Sequence, residues 1–122
     1  MPTRPPVTDH VADKQAAFHA DIVDEVASAI AAHDVVVVGM AVNLHVKRAR
    51  RIFDEANVAH HDLDYGGYHS MWRERLALKM WAGWPTFPMV FVKGRLVGGA
   101  KETQHLVADD ELHGLLDAER PS

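Results

Sequence analysis

Residues 35–53, VVVVGMAVNLHVKRARRIF, decide the fold. Val35 to Val38 form a continuous β-branched run, the pattern of a parallel strand covered on both faces, so a central strand is expected there. After Gly39 to Val42, Asn43 can offer its side-chain oxygen to the first free N–H groups of a helix. That helix is expected to run to about Ala56, with Leu44, Val46, Ala49, Ile52 and Phe53 on its apolar side and Asn57 as a suitable stop. KRARR at 47–51 then reads as the solvated face of an amphipathic helix. A strand that passes through a short turn into a helix N-terminus commonly presents a reactive thiol, because the partial positive charge there stabilises thiolate. This chain contains no cysteine, which removes disulfides, thiolate metal ligation and thiol nucleophiles together.

Working outward, residues 1–8 hold three prolines and no apolar periodicity and read as a tail. From Asp9 or Asp13 as cap to about Ala32, Phe18, Ile22, Val26 and Ile30 recur every four positions, which predicts an amphipathic helix. On the other side, VAHHDLD at 58–64 reads as a strand and YGGYHS at 65–70 as a turn. Ser70 is expected to cap a helix from Met71 to about Trp81, with Trp72, Leu76, Leu78 and Met80 as its buried stripe and Gly83 as its end. Met89–Val92 and Arg95–Val97 flank Lys93-Gly94, a hairpin signal. A last helical region covers Glu102 to Asp117, broken near Ala108 to Asp110, and residues 119–122 read as a second tail. The first two strands enclose a helical crossover and must be parallel, whereas the hairpin is antiparallel. The expectation is one α/β domain over 9–118, a mixed sheet of about four strands with helices on both faces and an extra N-terminal helix.

Composition bounds the function. The 122 residues are 48% hydrophobic and 25% charged with a net charge of −4, the profile of a soluble globular domain with no dedicated nucleic-acid surface. The longest apolar run, Val35 to Leu44, is far short of the roughly 20 residues of a membrane helix, and the N-terminus lacks an apolar signal core. A cytoplasmic protein without nucleic-acid or membrane partners is expected. Of the nine histidines, His60 and His61 are adjacent on a strand and point to opposite faces, no pair sits at helical chelating spacing, and His45 and His69 could approach the rim of a groove between two helix starts without the spacing forcing it, so no metal site is expected. Trp72, Trp81, Trp84, Phe87 and Met89 read mainly as core; exposed Trp84 and Phe87 would instead make a protein-binding spot.

Two further segments carry a resemblance. VVVVGMAVNLHVKRARRIFDEANV at 35–58 is similar to the glutaredoxin segment that holds a CxxC or CxxS site, and GWPTFPMVFVKGRLVGGA at 83–100 resembles that family's cis-proline segment and double-glycine turn. WPTFP at 84–88 is similar to the monothiol branch, while the short GMAV at 39–42 resembles the dithiol spacing. The resemblance covers roughly Ile22 to Leu116 and implies a thioredoxin-like fold. It places Asn43 at the nucleophilic cysteine and Val46 at the second cysteine or serine. A carboxamide is neither nucleophilic nor redox-active, so neither thiol–disulfide exchange nor cysteine-ligated iron–sulfur binding is expected.

What the resemblance leaves is a ligand groove. It implies that Thr86, Phe87 and Pro88 present backbone to an extended peptide such as glutathione, that Arg75 and Lys79 meet a glutathione carboxylate, and that Gly98 and Gly99 let the chain approach the γ-glutamyl end. Met40 stands where the family has a lysine, and Ala100 with Lys101 replaces a small residue and an aspartate. Each change costs on the order of 1–3 kcal/mol of binding, so glutathione is expected to be held weakly and no other cofactor is implied. The expected function is a redox-inactive binding module for a peptide, a partner protein or a glutathione-like ligand. Alternatives are a redox accessory in which bound glutathione supplies the thiol, and a structural subunit that pairs as a homodimer through the WPTFP face.

Overall fold

A computed structural model describes Thr8 and residues 20–67 and 70–120. The expected tails over 1–7 and 121–122, the caps Asp9 and Asp13, Phe18, Tyr68 and His69 lie outside the described residues. The elements are α1 (Ala20–Ala32), β1 (Val35–Gly39), α2 (Leu44–Glu55), β2 (His61–Asp64), α3 (Trp72–Ala82), β3 (Met89–Val92), β4 (Arg95–Gly98), α4 (Ala100–Ala108) and α5 (Leu112–Asp117). The strands make one sheet in the order β2-β1-β3-β4. β1 runs parallel to β2, with Val36 opposite His61, and antiparallel to β3, with Val37 opposite Val90. The β3–β4 hairpin carries an irregularity between Val90 and Phe91.

Alternation along β1 sends its valines to two cores, because successive side chains of a strand point to opposite faces. Val36 and Val38 join Val26, Leu78, Phe87, Met89 and Phe91 under α1 and α3. Val35 and Val37 join Ala49, Phe53, Val90, Ala100 and Leu112 under α2, α4 and α5. Val46, in the first turn of α2, reaches the first core past Gly39, where a Cβ would stand 2.5 Å from Val46 Cγ1. Glycine at 39 is therefore what lets α2 start so close to the end of β1.

Three expectations change. The strand after α2 is confined to His61–Asp64, because Asn57 at φ 56 turns the chain and residues 58–60 join no ladder. Ser70 does not cap α3: its Oγ accepts from Gly67 N, and Met71, in the left-handed region, precedes the helix without a side-chain cap. The stripe Trp72, Leu76, Met80 does not face the core but is 57%, 41% and 50% exposed, while Leu78 and Arg75 of the same helix are buried. Apolar residues occur on nearly every side of α3, so periodicity does not select a face. The turn after β2 selects it, because the Arg75 guanidinium donates to the carbonyls of Tyr65 and Ser70 at 2.9 and 2.5 Å. Trp81 is likewise exposed, whereas Phe87 and Met89 are core.

The end of α2 is tied to β2 by a histidine. His60 Nε2 lies 2.7 Å from Asp54 Oδ1 and Nδ1 lies 2.6 Å from Asp62 Oδ1. Ionised carboxylates only accept, so both bonds are made together only by the imidazolium. Burial opposes that charge, but the hydrogen bonds to Asp54 and Asp62, aided by their charges, outweigh it and raise the His60 pKa above 6.5. A folded pKa above the unfolded one gives stability that is complete below the unfolded value and is lost as pH rises through the folded value. Thermal melts from mildly acidic to mildly basic pH are expected to show the wild type losing, above about pH 6.5, stability that a His60→Gln variant never had. Parallel pH profiles for the two proteins would contradict the bridge.

Candidate functional site

The start of α2 is built from Asn43. With φ −94 and ψ 119 it stands just outside the helix, and its Oδ1 accepts from His45 N at 2.9 Å and Val46 N at 3.1 Å. Its carboxamide oxygen is thereby committed to two N–H groups that a helix terminus leaves free. Val46 is 1% exposed and serves as core. Met40 is buried as well, so the position before this turn offers an apolar side chain and no cation. Val42 and Leu44, on either side of Asn43, are 72% and 77% exposed.

Beside this turn, the segment from Gly83 to Pro88 crosses from α3 to β3, and its Phe87–Pro88 peptide bond is cis. It forms one wall of a groove of about 710 Å³ with Trp84, Thr86, Phe87 and Pro88. His45 and Arg48 of α2 form a second wall. The third comprises Gly99 and the first turns of α4 with Lys101, Glu102, Gln104 and His105. The Arg48 guanidinium donates to Gln104 Oε1, which ties the second wall to the third. Trp84 Nε1 is buried and has no hydrogen-bond partner among the described residues. A buried N–H without a protein acceptor is costly, and this indole lines the groove as a hydrogen-bond donor.

The double glycine works differently from its sequence reading. Gly98 has φ 116, and a Cβ there would fall 2.7 Å from Glu102 Cγ. The room that glycine leaves at 98 is thus taken by the protein's own Glu102. At Gly99 a Cβ would stand 3.4 Å from Pro88 O and 3.9 Å from both Glu102 Oε2 and Trp84 Nε1. Glu102 therefore lies across the glycines and brings a carboxylate to the groove wall.

Of the residues singled out from sequence, the structure brings Thr86, Phe87, Pro88 and Gly99 onto one groove, and Gly98 adjoins it beneath Glu102. Arg75 and Lys79 do not line it. Arg75 is 8% exposed, held by the carbonyls of the β2–α3 turn, and Lys79 Nζ sits 5.8 Å from the Phe87 ring centroid, within cation–π range. His45 lines the groove whose rim it was expected to be able to approach, whereas Arg48, Glu102, Gln104 and His105 are lining residues that the sequence reading does not single out. Their only signal is helical spacing: 45 and 48, and 101, 104 and 105, each share a face once the two helices are set side by side. Among the described residues, no three His, Asp or Glu side chains are placed to hold a metal ion, and no helix is long and apolar enough to cross a membrane.

A four-stranded mixed sheet with a cis-proline loop beside a helix N-terminus defines a thioredoxin-like class of protein. The particular family follows from comparison. A family model described as Glutaredoxin matches residues 46–97, and the chain is 46% identical over 86 residues to a glutaredoxin-like protein of Dictyostelium discoideum, covering 70% of each. The chain belongs to the glutaredoxin family. It is also 42% identical over 45 residues to glutaredoxin 3 of Danio rerio, which is 37% of this chain but 14% of that protein. Among solved structures, a buckwheat glutaredoxin–glutathione complex is similar with a TM-score of 0.71 at 19% identity, over 90% of this chain and 94% of that one. Oxidized glutaredoxin 2 of Chlamydomonas reinhardtii gives 0.69 at 20%, over 80% and 92%. At these identities the structural neighbours speak for the fold. The family-model match begins at Val46, so the placement of Asn43 at the nucleophile position rests on the β1–turn–α2 geometry.

Proposed function

We propose that this glutaredoxin-family chain is a redox-inactive binding module whose cis-proline groove holds a peptide or glutathione-like ligand. One observation carries the reading: beside an α2 terminus capped by a carboxamide stands a groove with an unpartnered buried indole N–H at Trp84. The first feature withholds the thiolate that disulfide exchange requires, and the second supplies a donor for a ligand acceptor. The backbone around Phe87, next to Pro88, offers the edge along which an extended peptide can pair. In this reading Lys101 faces a ligand carboxylate, Glu102 takes an ammonium, and Arg75 and Lys79 act through the turn and the Phe87 ring that they support. The buckwheat relative was solved with glutathione, which makes that tripeptide the first ligand to try.

Titrating glutathione to millimolar concentration while recording amide NMR shifts is expected to move Phe87, Gly98, Gly99 and Lys101 together. No movement at these positions overturns the glutathione form of the reading. Glu102→Gln keeps the side chain that covers Gly98 but removes its charge. Losing one charge-assisted hydrogen bond, about 1.5 kcal/mol, is expected to weaken glutathione about tenfold and to leave the desamino analogue glutaryl-cysteinylglycine unaffected.

A further inference from the structure

The cis-proline groove does not end at α4. A second hollow of about 510 Å³ runs between α2 and α4, lined by Arg51, Glu55 and Val107, and it shares Arg48, Gln104 and Ala108 with the first. The two adjoin along the seam of these helices, with the Arg48–Gln104 hydrogen bond at their common boundary. The charge of the seam is unlike that of the rest of the chain, whose net charge is −4. Among the described residues elsewhere, Arg50 is paired with Asp62 and Asp64, Arg120 with Asp34 and Ile30 O, Arg95 with Glu119 O, and Lys93 with Asp34, while Arg73 lies over the Trp72 ring and Lys47 stands exposed on α2 outside the seam. Along the seam, Arg51, Lys101, His45 and His105 have no side-chain partner among the described residues, and Gln104 holds Arg48 in place by one of its five donors. Arg48 and Arg51 are one turn apart on the exposed side of α2, so a chain lying in the seam meets both.

We propose that the ligand of this groove is an acidic peptide, whose extended backbone starts along the cis-proline wall and whose carboxylates then follow Arg48 and Arg51 between α2 and α4. The inference rests on the peptide-binding reading above and names the chemistry of the partner. Guanidinium groups match carboxylates in a bidentate way, and a seam in which Arg48, Arg51 and Lys101 outnumber Glu55 and Glu102, on a chain of net negative charge, steers an acidic segment to it. Glu102 and Glu55 stand at opposite ends of the seam and bound the positive stretch to a few residues of peptide. A nucleic-acid strand presents an unbroken row of phosphates and would run against both carboxylates, so a peptide is the better fit.

The test uses fluorescence anisotropy of the full chain with two labelled octapeptides, one alternating glutamate and valine, the other glutamine and valine. The acidic peptide is expected to bind about tenfold tighter at low salt, and Arg51→Glu to remove that advantage. Arg73→Glu makes the same charge change on α3, on the other side of the sheet, and is expected to alter affinity less than about twofold. Equal affinity for the two peptides, equal losses for the two variants, or tighter binding of a single-stranded oligonucleotide of equal charge would each overturn the proposal. Arg51 lies outside the first groove, so the glutathione-induced shifts at Phe87 and Gly99 are expected to persist in Arg51→Glu. Those shifts surviving while the acidic peptide fails would overturn this inference and leave the groove reading standing. Failure of both would remove both.

Discussion

Replacing Arg75 by methionine is expected to destabilise the protein by about 2–4 kcal/mol, read as a lower urea midpoint with an unchanged slope. The residue is buried, and its Nη1 bonds the carbonyls of Tyr65 and Ser70, which close the turn between β2 and α3. Methionine retains the unbranched stem but leaves two carbonyls of this turn without that donor. The neighbouring anchor is polar too: Tyr65 OH donates to Glu25 of α1 at 2.6 Å, and burial together with that carboxylate holds the phenol pKa above its ordinary value. The variant also separates two roles for the arginine. A supporting Arg75 loses stability with little change in glutathione affinity for the folded fraction, whereas a ligand-contacting Arg75 loses affinity as its main effect.

Asn43→Cys is expected to create a thiol with a pKa well below the ordinary value of about 8.5. Its Sγ would take the place of Oδ1, which now accepts from His45 N and Val46 N at the first turn of α2. The same N–H groups and helix-end field that favour the carboxamide cap would favour thiolate. Val46 stays in the core and offers no second sulfur, so the variant would react as a monothiol through mixed disulfides. Ultraviolet thiolate absorbance against pH gives the pKa. A value at or above 8.5 would mean that position 43 is not the site the fold is built to activate.

The parts of the fold that could be read from sequence are those in which one local rule has no competitor. Val35 to Val38 admit a covered strand and little else, Asn43 is a strong cap before an amphipathic run, and Lys93-Gly94 between two apolar runs is a hairpin. The orientation of α3 could not be read in the same way. Its apolar residues surround the axis, and a buried arginine, which composition rules place outside, settles which side faces in. The break between α4 and α5 was visible in ADDE at 108–111, and the chain turns there with Asp110 at φ 56. Half of the groove was legible because WPTFP and the double glycine are contiguous motifs. Apart from His45, the α2 and α4 walls were not, since Arg48, Glu102 and His105 become neighbours only after two helices pack. Lys101 alone suggested a reversed charge at the glycine turn, but Glu102, one residue on, folds back over Gly98 and restores an acid there.

The central claim is that the glutaredoxin frame is retained here without its electron chemistry. Its most direct test is a disulfide-reduction assay of the purified chain, with glutathione and a small mixed disulfide as substrate, alongside Asn43→Cys. The account predicts a rate for the wild type equal to that of glutathione alone, and a protein-dependent rate for the variant. Protein-dependent turnover by the wild type, unchanged after repurification, would contradict it.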